Sequence, residues 1–429
     1  MLSRLAIIAP NAWPAIDPRG GRRVGGMETF AWGLARGLAC IESLDVSLLV
    51  RTTRRIDARK IDGVTIAAVR EPLRQWRYEV AERVSRVDGF PWVRVHRWDA
   101  SLAWQIPALA IARCVRRRTP AQQFALAVEQ LEADAILALG VGAESAAALQ
   151  VARRRGSKGL LWLRSNADIE PRFFEQSEYR NIYGVTSDHC RTCLELADQV
   201  ICQTKWQQRR LKELAHIEST VIRNPVDLEK WRSQSSWEQR EHVLWIGRYD
   251  RHHKRPLACL DAARQLPHIP FVMIVNRGDD TVEQEVRRQV PPNVKLINYV
   301  PHDQLVTWFS KARLFLSTGT AEHEGFPNVL LEAAASSTPI VSMQDFDDFL
   351  AQSGAGTWVN DDPPALASEL QSLWTNPHRW NECSAAGRRY VEQHHRRDST
   401  YQAFAELLHR ICQSTSSQSS PADPEPRSL

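Results

Sequence analysis

The chain has 429 residues, 43% of them hydrophobic and 24% charged, which is the composition of a globular protein and excludes a disordered one. This length predicts two or three domains, and the formal net charge of +5 is mildly basic. No apolar run reaches the roughly 18 to 20 residues that span a bilayer, and the apolar stretch at residues 5–9 is too short for a signal peptide. A cytoplasmic protein is therefore predicted, and its eight scattered cysteines agree with that compartment.

Short apolar runs alternate with helical patterns along the whole chain. The first half predicts strands at residues 5–9, 46–50, 136–139, 160–163, 199–202 and 220–222, and helices at residues 28–40 and 144–154. The pattern restarts after residue 227, with strands at 243–246, 271–275, 294–297, 314–317 and 340–342, and helices at 256–265 and 328–336. This alternation predicts an α/β fold of two Rossmann-like domains, each a doubly wound parallel sheet, which face a ligand cleft at the carboxyl ends of their strands.

The same pattern suggests domain limits. Residues 1–225 are predicted to form an N-terminal domain with an Arg- and Trp-rich insertion at about 70–130, and residues 226–395 a C-terminal domain. The charged helix predicted at 396–412 is expected to cross back to the N-terminal domain. Residues 413–429 are rich in Ser, Gln and Pro, which predicts a disordered tail.

Two glutamates eight residues apart are the most informative feature of the sequence. Glu324 lies in the loop after a predicted strand, and Glu332 lies on the second turn of a predicted helix that follows a proline. The N–H groups of Gly325, Phe326 and Asn328 would then face an anion site at the helix N-terminus. Two carboxylates that flank an anion site suit a nucleotide-sugar, with one on the sugar hydroxyls and one on the ribose. Taken alone, both glutamates would be read as surface residues.

A basic segment follows the predicted strand at 243–246. Arg248 and Lys254 are placed at the mouth of the loop after that strand. Two cations there can neutralise the charge that develops on a diphosphate leaving group. A solvated basic turn is the alternative.

A glycine-rich segment at residues 20–29 lies between the first strand and the first helix. It matches neither the dinucleotide fingerprint nor the P-loop pattern. Gly25 and Gly26, followed by Glu28, would allow the backbone to approach a ligand closely, and a flexible turn is the alternative.

These segments resemble those of the GT-B fold retaining glycosyltransferases of family 4, the glycosyl transferases group 1. The resemblance rests on an E-x7-E signature, a G-R-x5-K segment and a G-G-x-E loop, and it extends over nearly the whole chain. It implies that Glu324 holds the donor sugar and Glu332 the ribose, while Arg248 and Lys254 stabilise the leaving phosphate. It also implies that the glycine loop faces the donor diphosphate and the acceptor.

The chain departs from this family after the predicted strand at 160–163. Many family members carry a His-Asp pair near there, with the histidine close to the donor sugar, whereas this chain has Arg164, Ser165 and Asp168. These side chains could contact the donor sugar or the acceptor, or could form a plain polar turn. The resemblance implies a UDP- or GDP-type nucleotide-sugar as substrate, no required cofactor and a glycan or lipid-linked acceptor.

The insertion at about 70–130 mixes Arg with Trp. This mixture suits a membrane interface or an anionic acceptor, and peripheral contact with the inner face of the membrane is one expectation. Packing of the tryptophans on the first domain is the alternative, and no nucleic acid is expected as a partner.

Two short motifs could be mistaken for metal sites. Cys190 and Cys193 stand beside His189, but no second pair supplies the remaining zinc ligands, so a reduced pair on a helix is predicted. The segment 345–348, Asp-Phe-Asp-Asp, is predicted to be a loop near the cleft. No metal site is predicted.

The predicted function is transfer of a hexose-type sugar from a nucleotide-sugar to an acceptor with retention of configuration. The acceptor is expected to be a cell-surface polysaccharide, a lipopolysaccharide or a lipid-linked glycan. One alternative is a nucleotide-sugar epimerase or hydrolase of the same fold. Another is a non-catalytic module that binds nucleic acid or a membrane surface through the Arg/Trp region.

Overall fold

A computed structural model describes residues 3–17, 25–81, 83–86, 93–115, 118–181, 183–322 and 324–413 of the chain. The first part of the glycine-rich segment (18–24), parts of the Arg/Trp insertion and the predicted disordered tail from 414 onward lie outside the described residues.

The strands of the described chain are β1 (Ser3–Ile8), β2 (Leu44–Thr52), β3 (Arg59–Ile61), β4 (Val64–Arg70), β5 (Val84–Arg86), β6 (Val93–Val95), β7 (Ala135–Leu139), β8 (Lys158–Trp162), β9 (Gln199–Cys202), β10 (Ser219–Val221), β11 (His242–Arg248), β12 (Phe271–Asn276), β13 (Val294–Asn298), β14 (Ala312–Ser317), β15 (Ile340–Ser342) and β16 (Gly356–Trp358). Its α-helices are α1 (Trp13–Ile16), α2 (Gly26–Ala39), α3 (Arg74–Ala81), α4 (Leu102–Val115), α5 (Pro120–Glu129), α6 (Ala143–Arg155), α7 (Arg172–Glu175), α8 (Ser187–Leu196), α9 (Lys205–Ala215), α10 (Pro256–Gln265), α11 (Asp280–Gln289), α12 (Leu305–Lys311), α13 (Asn328–Ala335), α14 (Phe349–Ser353), α15 (Pro363–Thr375), α16 (Pro377–His394) and α17 (Arg397–Gln413).

Two large sheets hold most of these strands. The first has eight strands in the order β10-β9-β8-β7-β1-β2-β4-β3, and the second has six in the order β13-β12-β11-β14-β15-β16. β1 runs parallel to β2 and β7, and β11 runs parallel to β12 and β14. Parallel neighbours need crossover connections, which the intervening helices supply. The predicted α/β class with two Rossmann-like sheets is confirmed.

The contacts within the chain define two compact units. Unit 1 comprises Met1–Trp162, Glu175–Val200 and Leu407–Leu429, and unit 2 comprises Leu163–Phe174 and Ile201–Glu406. The sequence analysis instead sets domain limits near residues 225 and 396, and those limits stay predictions.

Unit 2 has a hydrophobic cluster on each side of its sheet. Val243 and Trp245 belong to one cluster and Leu244 to the other, because successive side chains of a strand point to opposite faces. All three side chains are at most 1% exposed. The central strands of this sheet therefore appear in the sequence as continuous apolar runs, as strands buried on both faces do.

A guanidinium group is also buried in unit 2. Arg240 is 0% exposed and donates to the carbonyl oxygens of Phe309 (3.2 Å), Ala312 (2.8 Å) and Ser336 (2.9 Å). These carbonyls lie at the C-terminal ends of α12 and α13, where helices have free acceptors and favour a cation. Burial lowers the pKa of Arg240 to about 10, so the side chain stays charged at neutral pH.

Two buried histidines should make the stability of unit 2 depend on pH. Burial lowers the pKa values of His242 and His395 to about 4. The unfolded chain, with an ordinary histidine pKa of about 6.5, binds protons more strongly between those two values. Stability should therefore be fully present above about pH 6.5 and be lost as the pH falls towards 4.

We expect the free energy of unfolding to fall by about 2 kcal/mol for each of the two histidines between pH 7 and pH 5, as measured by urea denaturation. His242→Gln should reduce this slope, whereas His378→Gln, at a histidine whose side chain is 85% exposed, should leave it unchanged. If the free energy of unfolding depends on pH equally in the unchanged protein and in both variants, His242 is not a source of the pH dependence.

Candidate active site

The residues of the C-terminal half that are predicted to bind the sugar donor lie in unit 2, at the carboxyl ends of neighbouring strands. Arg248 is the last residue of β11, and Lys254 lies in the turn before α10. Glu324 lies in the loop between β14 and α13, and Glu332 lies on α13 itself. β11 and β14 are adjacent and parallel, so the two loops that follow them leave the same edge of the sheet.

An ion pair joins these two loops. The Lys254 ammonium contacts the Glu324 carboxylate, and the two side chains are 25% and 13% exposed. Arg255 also holds the loop that carries Glu324. Its Nε donates to the carbonyl oxygen of Thr318 (2.6 Å) and its Nη2 to that of Gly319 (3.0 Å). The carboxylate and the ammonium are thus held together in a partly shielded place, where their charges are screened less than on an open surface.

Arg248 is the more exposed of the two predicted cationic residues. Its Nη2 lies 2.8 Å from Nδ1 of His253 and 3.0 Å from Oδ2 of Asp250, and its side chain is 45% exposed. Burial alone would raise the pKa of Asp250, but the N–H of His253 and the charges of His253 and Arg248 hold it below its usual value. Arg248 is therefore oriented by a carboxylate while its guanidinium still reaches solvent.

The second glutamate of the pair is buried, so the interpretation of Glu332 as a surface residue is wrong. It is 7% exposed, and its Oε1 lies 2.7 Å from Nε2 of His302, whose Nδ1 lies 3.0 Å from Nζ of Lys230. If the ammonium donates to Nδ1, the proton on Nε2 is donated to the carboxylate. The other oxygen, Oε2, is buried without a hydrogen-bond partner among the described residues. A buried acceptor of this kind has an unmet need for a donor such as a hydroxyl group.

Lys230 completes this array. Burial lowers the pKa of Lys230, while the charges of Glu332, Asp303 and Asp227 oppose that shift. Its ammonium also lies 5.1 Å from the ring centroid of Trp231, within cation–π range. The sequence analysis did not single out Lys230 or His302, because neither lies in a motif and their contact with Glu332 depends on the fold.

The start of α13 is tied to the rest of unit 2 by one buried amide. Nδ2 of Asn224 donates to Oδ1 of Asn328 (2.8 Å) and to the carbonyl oxygen of Phe326 (3.4 Å). A Cβ atom on Gly325 would lie 2.1 Å from Nε2 of Gln203, so only glycine fits this position without a shift. Asn224 lies in a segment that the sequence analysis did not assign to the site.

Arg164, Ser165 and Asp168 also belong to unit 2. Oδ2 of Asp168 accepts the backbone N–H groups of Arg164 (2.6 Å) and Ser165 (2.9 Å), and Nη1 of Arg164 donates to Oδ1 of Asn224 (3.0 Å). Burial lowers the pKa of Arg164 to about 9, and Asp168 opposes that shift. These bonds shape the turn and connect it to Asn224, and a contact with donor or acceptor stays a prediction.

Gly25, Gly26 and Glu28 belong to unit 1. Gly25 is the N-cap residue of α2, and its N–H donates to Oε2 of Glu28 at 2.9 Å. Glu28 therefore caps its own helix, and the predicted role of this loop towards a ligand is untested.

The structure describes both short motifs that could be mistaken for metal sites, the segment 345–348 and the cysteine pair. The Asp345 carboxylate accepts the N–H groups of Leu350 (2.8 Å) and Ala351 (2.9 Å). Cys190 and Cys193 are buried on α8. Within the described ranges, no group of three or more His, Cys, Asp or Glu side chains could hold a metal ion. Nor does any described helix have the length and apolar character needed to cross a membrane.

Part of unit 2 matches a known protein family. Residues 240–376 match the protein family described as glycosyl transferases group 1. This segment holds Arg248, Lys254, His302, Glu324 and Glu332, and it covers less than half of the chain. No curated protein sequence matches the chain.

Several solved structures of the GT-B fold are similar over nearly the full length. Sucrose-phosphate synthase from Thermosynechococcus elongatus has a TM-score of 0.68 at 16% identity, covering 96% of this chain and 100% of that one. The α,α-trehalose 6-phosphate synthase from Burkholderia multivorans has a TM-score of 0.67 at 12% identity, covering 99% and 100%. A TarM mutant from S. aureus, solved with fondaparinux, α-GlcNAc-glycerol and UDP, has a TM-score of 0.65 at 11% identity, covering 95% and 100%. The chain has the GT-B fold.

Proposed function

We propose that this chain is a glycosyltransferase that moves a hexose-type sugar from a UDP- or GDP-type nucleotide-sugar to a glycan or lipid-linked acceptor with retention of configuration. The observation that carries the proposal is the Lys254–Glu324 ion pair, whose lysine lies in the loop that follows Arg248, inside the segment that matches the glycosyl transferases group 1. A cation and a carboxylate held together at a strand end suit a ligand that joins a phosphate to a hydroxyl-rich ring.

Each of these side chains has a role in the proposed reaction. The bond between the anomeric carbon and the diphosphate oxygen breaks, and negative charge builds on the leaving group, where Arg248 and Lys254 stabilise it. Glu324 accepts hydrogen bonds from the sugar hydroxyls. The acceptor oxygen bonds to the anomeric carbon on the face that the diphosphate leaves, and its proton passes to the departing phosphate oxygen. This route requires no side-chain nucleophile, and it retains configuration.

The nucleotide end of the donor fits the buried glutamate. Oε2 of Glu332 lacks a donor among the described residues, and a ribose hydroxyl supplies one. His302 acts as a positioning residue in this proposal, because its bond to Oε1 fixes the orientation of the carboxylate.

A panel of nucleotides and nucleotide-sugars tests the proposal by thermal shift, because a ligand that binds only the folded protein raises its melting temperature. A hit is then incubated as labelled donor with candidate glycan and lipid-linked acceptors, and the anomeric configuration of the product is determined. Isomerised or free sugar as the main product would instead support an epimerase or a hydrolase. No stabilisation by any nucleotide would contradict the proposed function.

His302→Gln should weaken nucleoside diphosphate binding about tenfold, since a hydrogen bond to a charged group contributes about 1.5 kcal/mol. It should also reduce the preference for UDP over its 2′,3′-dideoxy analogue, which a purely structural role would not alter. Isothermal titration calorimetry measures both effects, with His268→Gln, at an exposed histidine of the same unit, as the matched control. An unchanged preference would contradict the positioning role of His302.

A further inference from the structure

An exposed apolar helix face lies in unit 1, in the Arg/Trp insertion. Only Leu102 and Gln105 are buried among the 14 residues of α4. Trp104, Ile111 and Val115 are 50%, 64% and 73% exposed. A helix on the surface of a globular protein normally turns its apolar side towards the core. The exposed apolar face of α4 is therefore a candidate interaction surface.

The exposed apolar side chains are concentrated in this segment. Twelve large hydrophobic residues of the described chain are exposed, and eight of them lie between residues 78 and 115. Apolar residues scattered singly over a surface need no explanation, whereas a contiguous group marks an interaction site. Trp104, Ile111 and Val115 lie on one side of α4, because positions seven and eleven residues apart share a helix face. We call these three side chains, together with Trp98 in the segment before the helix, the α4 patch.

The first turn of α4 is anchored within unit 1. The rings of Trp76 and Trp104 meet edge to face at 4.6 Å between centroids, and Nε2 of Gln105 donates to Oε2 of Glu79 at 2.8 Å. α4 thus rests on α3 with a defined orientation. This packing leaves half of Trp104 exposed and does not cover Ile111 or Val115.

The charge around the α4 patch is positive. Residues 74–115 contain seven arginines and four acidic residues. Arg94 and Arg113 are exposed. A second copy of this chain on the patch would bring arginine against arginine, which disfavours a symmetric dimer. An anionic lipid surface offers apolar depth for the side chains of α4 and phosphate groups for the arginines.

We propose that the α4 patch docks the protein onto an anionic lipid bilayer, with α4 lying in the interface plane. A 14-residue helix is about 21 Å long and cannot cross a hydrocarbon core of about 30 Å. Trp98 and Trp104 suit the headgroup region, where tryptophan is enriched. This docking is independent of the proposed transfer reaction, so it can be tested without a donor or an acceptor.

The test is sedimentation of the full chain with large vesicles of phosphatidylcholine alone or with one quarter phosphatidylglycerol. Binding is expected only to the anionic vesicles and should weaken with added salt. Ile111→Glu/Val115→Glu should abolish it. Arg94→Ser/Arg113→Ser should weaken it about thirtyfold, since each basic residue near an anionic surface contributes about 1 kcal/mol.

Arg54→Ser/Arg55→Ser is the matched control, because it removes the same charge from exposed positions of unit 1 outside the patch. It should leave binding unchanged. Equal loss in this control would overturn the proposal in favour of non-specific attraction. Failure to bind anionic vesicles would also overturn it, as would a concentration-dependent dimer that Ile111→Glu/Val115→Glu abolishes.

A fluorophore on Cys114 gives a second measurement on the folded protein. Cys40 and Cys114 are the two exposed cysteines of the eight, so labelling in a Cys40→Ser background directs the probe to α4. Brominated lipid chains should quench the probe in the bound state. A probe that stays as exposed to water with anionic vesicles as without them would overturn the proposed orientation of α4.

Discussion

Lys254→Met is expected to lower kcat/KM for sugar transfer by about a hundredfold to a thousandfold, the usual loss when one preorganised group that stabilises transition-state charge is removed. Two effects combine. The leaving diphosphate loses a cation, and Glu324 loses the ion pair that holds its carboxylate. Steady-state kinetics with the donor and acceptor found in the panel measures the loss, and Lys254→Arg should restore part of the activity because it restores the charge.

Lys212→Met is the matched control for this experiment. Lys212 also pairs with a glutamate, Glu218, but the two side chains are 66% and 77% exposed, and exposed pairs of this kind contribute little. Its removal should change neither activity nor stability. If Lys254→Met and Lys212→Met retain the same activity, the role proposed for the Lys254–Glu324 pair is refuted.

Arg240→Met is expected to lower the free energy of unfolding by about 3 to 5 kcal/mol, because it leaves several buried acceptors without their donor at about 1 to 3 kcal/mol each. Methionine fills part of the space but donates no hydrogen bond. The carbonyl oxygens at the ends of α12 and α13 and the hydroxyl of Thr338, which Arg240 reaches at 2.8 Å, would then be buried with fewer donors. Urea denaturation followed by circular dichroism measures the change.

Arg264→Met, at an exposed arginine on α10, is the comparison for Arg240→Met and should cost less than about 0.5 kcal/mol. An equal, small effect of both changes would mean that the acceptors around residue 240 find other donors. Because Arg240 binds the C-terminal end of α13, which also carries Glu332, its loss should weaken nucleotide binding even where the protein remains folded.

Local sequence could predict the strands that are buried on both faces and some of the helices between them. β15 and α10 have the predicted limits, and the predicted strand at 271–275 lies within β12. β3 and β4 were missed. β4 alternates buried and partly buried residues and ends at Arg70, where the Arg/Trp insertion was expected to begin, so its apolar run was too broken to stand out.

The contacts that shape the candidate site were beyond local sequence. Glu332 is held by His302, 30 positions away, and Asn224 bonds Asn328 across 104 positions. The spacing of the two glutamates predicted which elements carry them. It could not predict the burial of Glu332, because that depends on which helix and loop the fold brings alongside α13.

The way the two units share the chain governs how the protein can be dissected. Unit 2 contains Leu163–Phe174 as well as Ile201–Glu406. The amide of Asn166 donates to the carbonyl oxygen of Ala321 and accepts from Gln207, across 155 and 41 positions. A fragment that begins at residue 201 would lack these bonds, and so would not reproduce unit 2. Contacts between residues so far apart in the chain also raise the contact order, which favours slow folding.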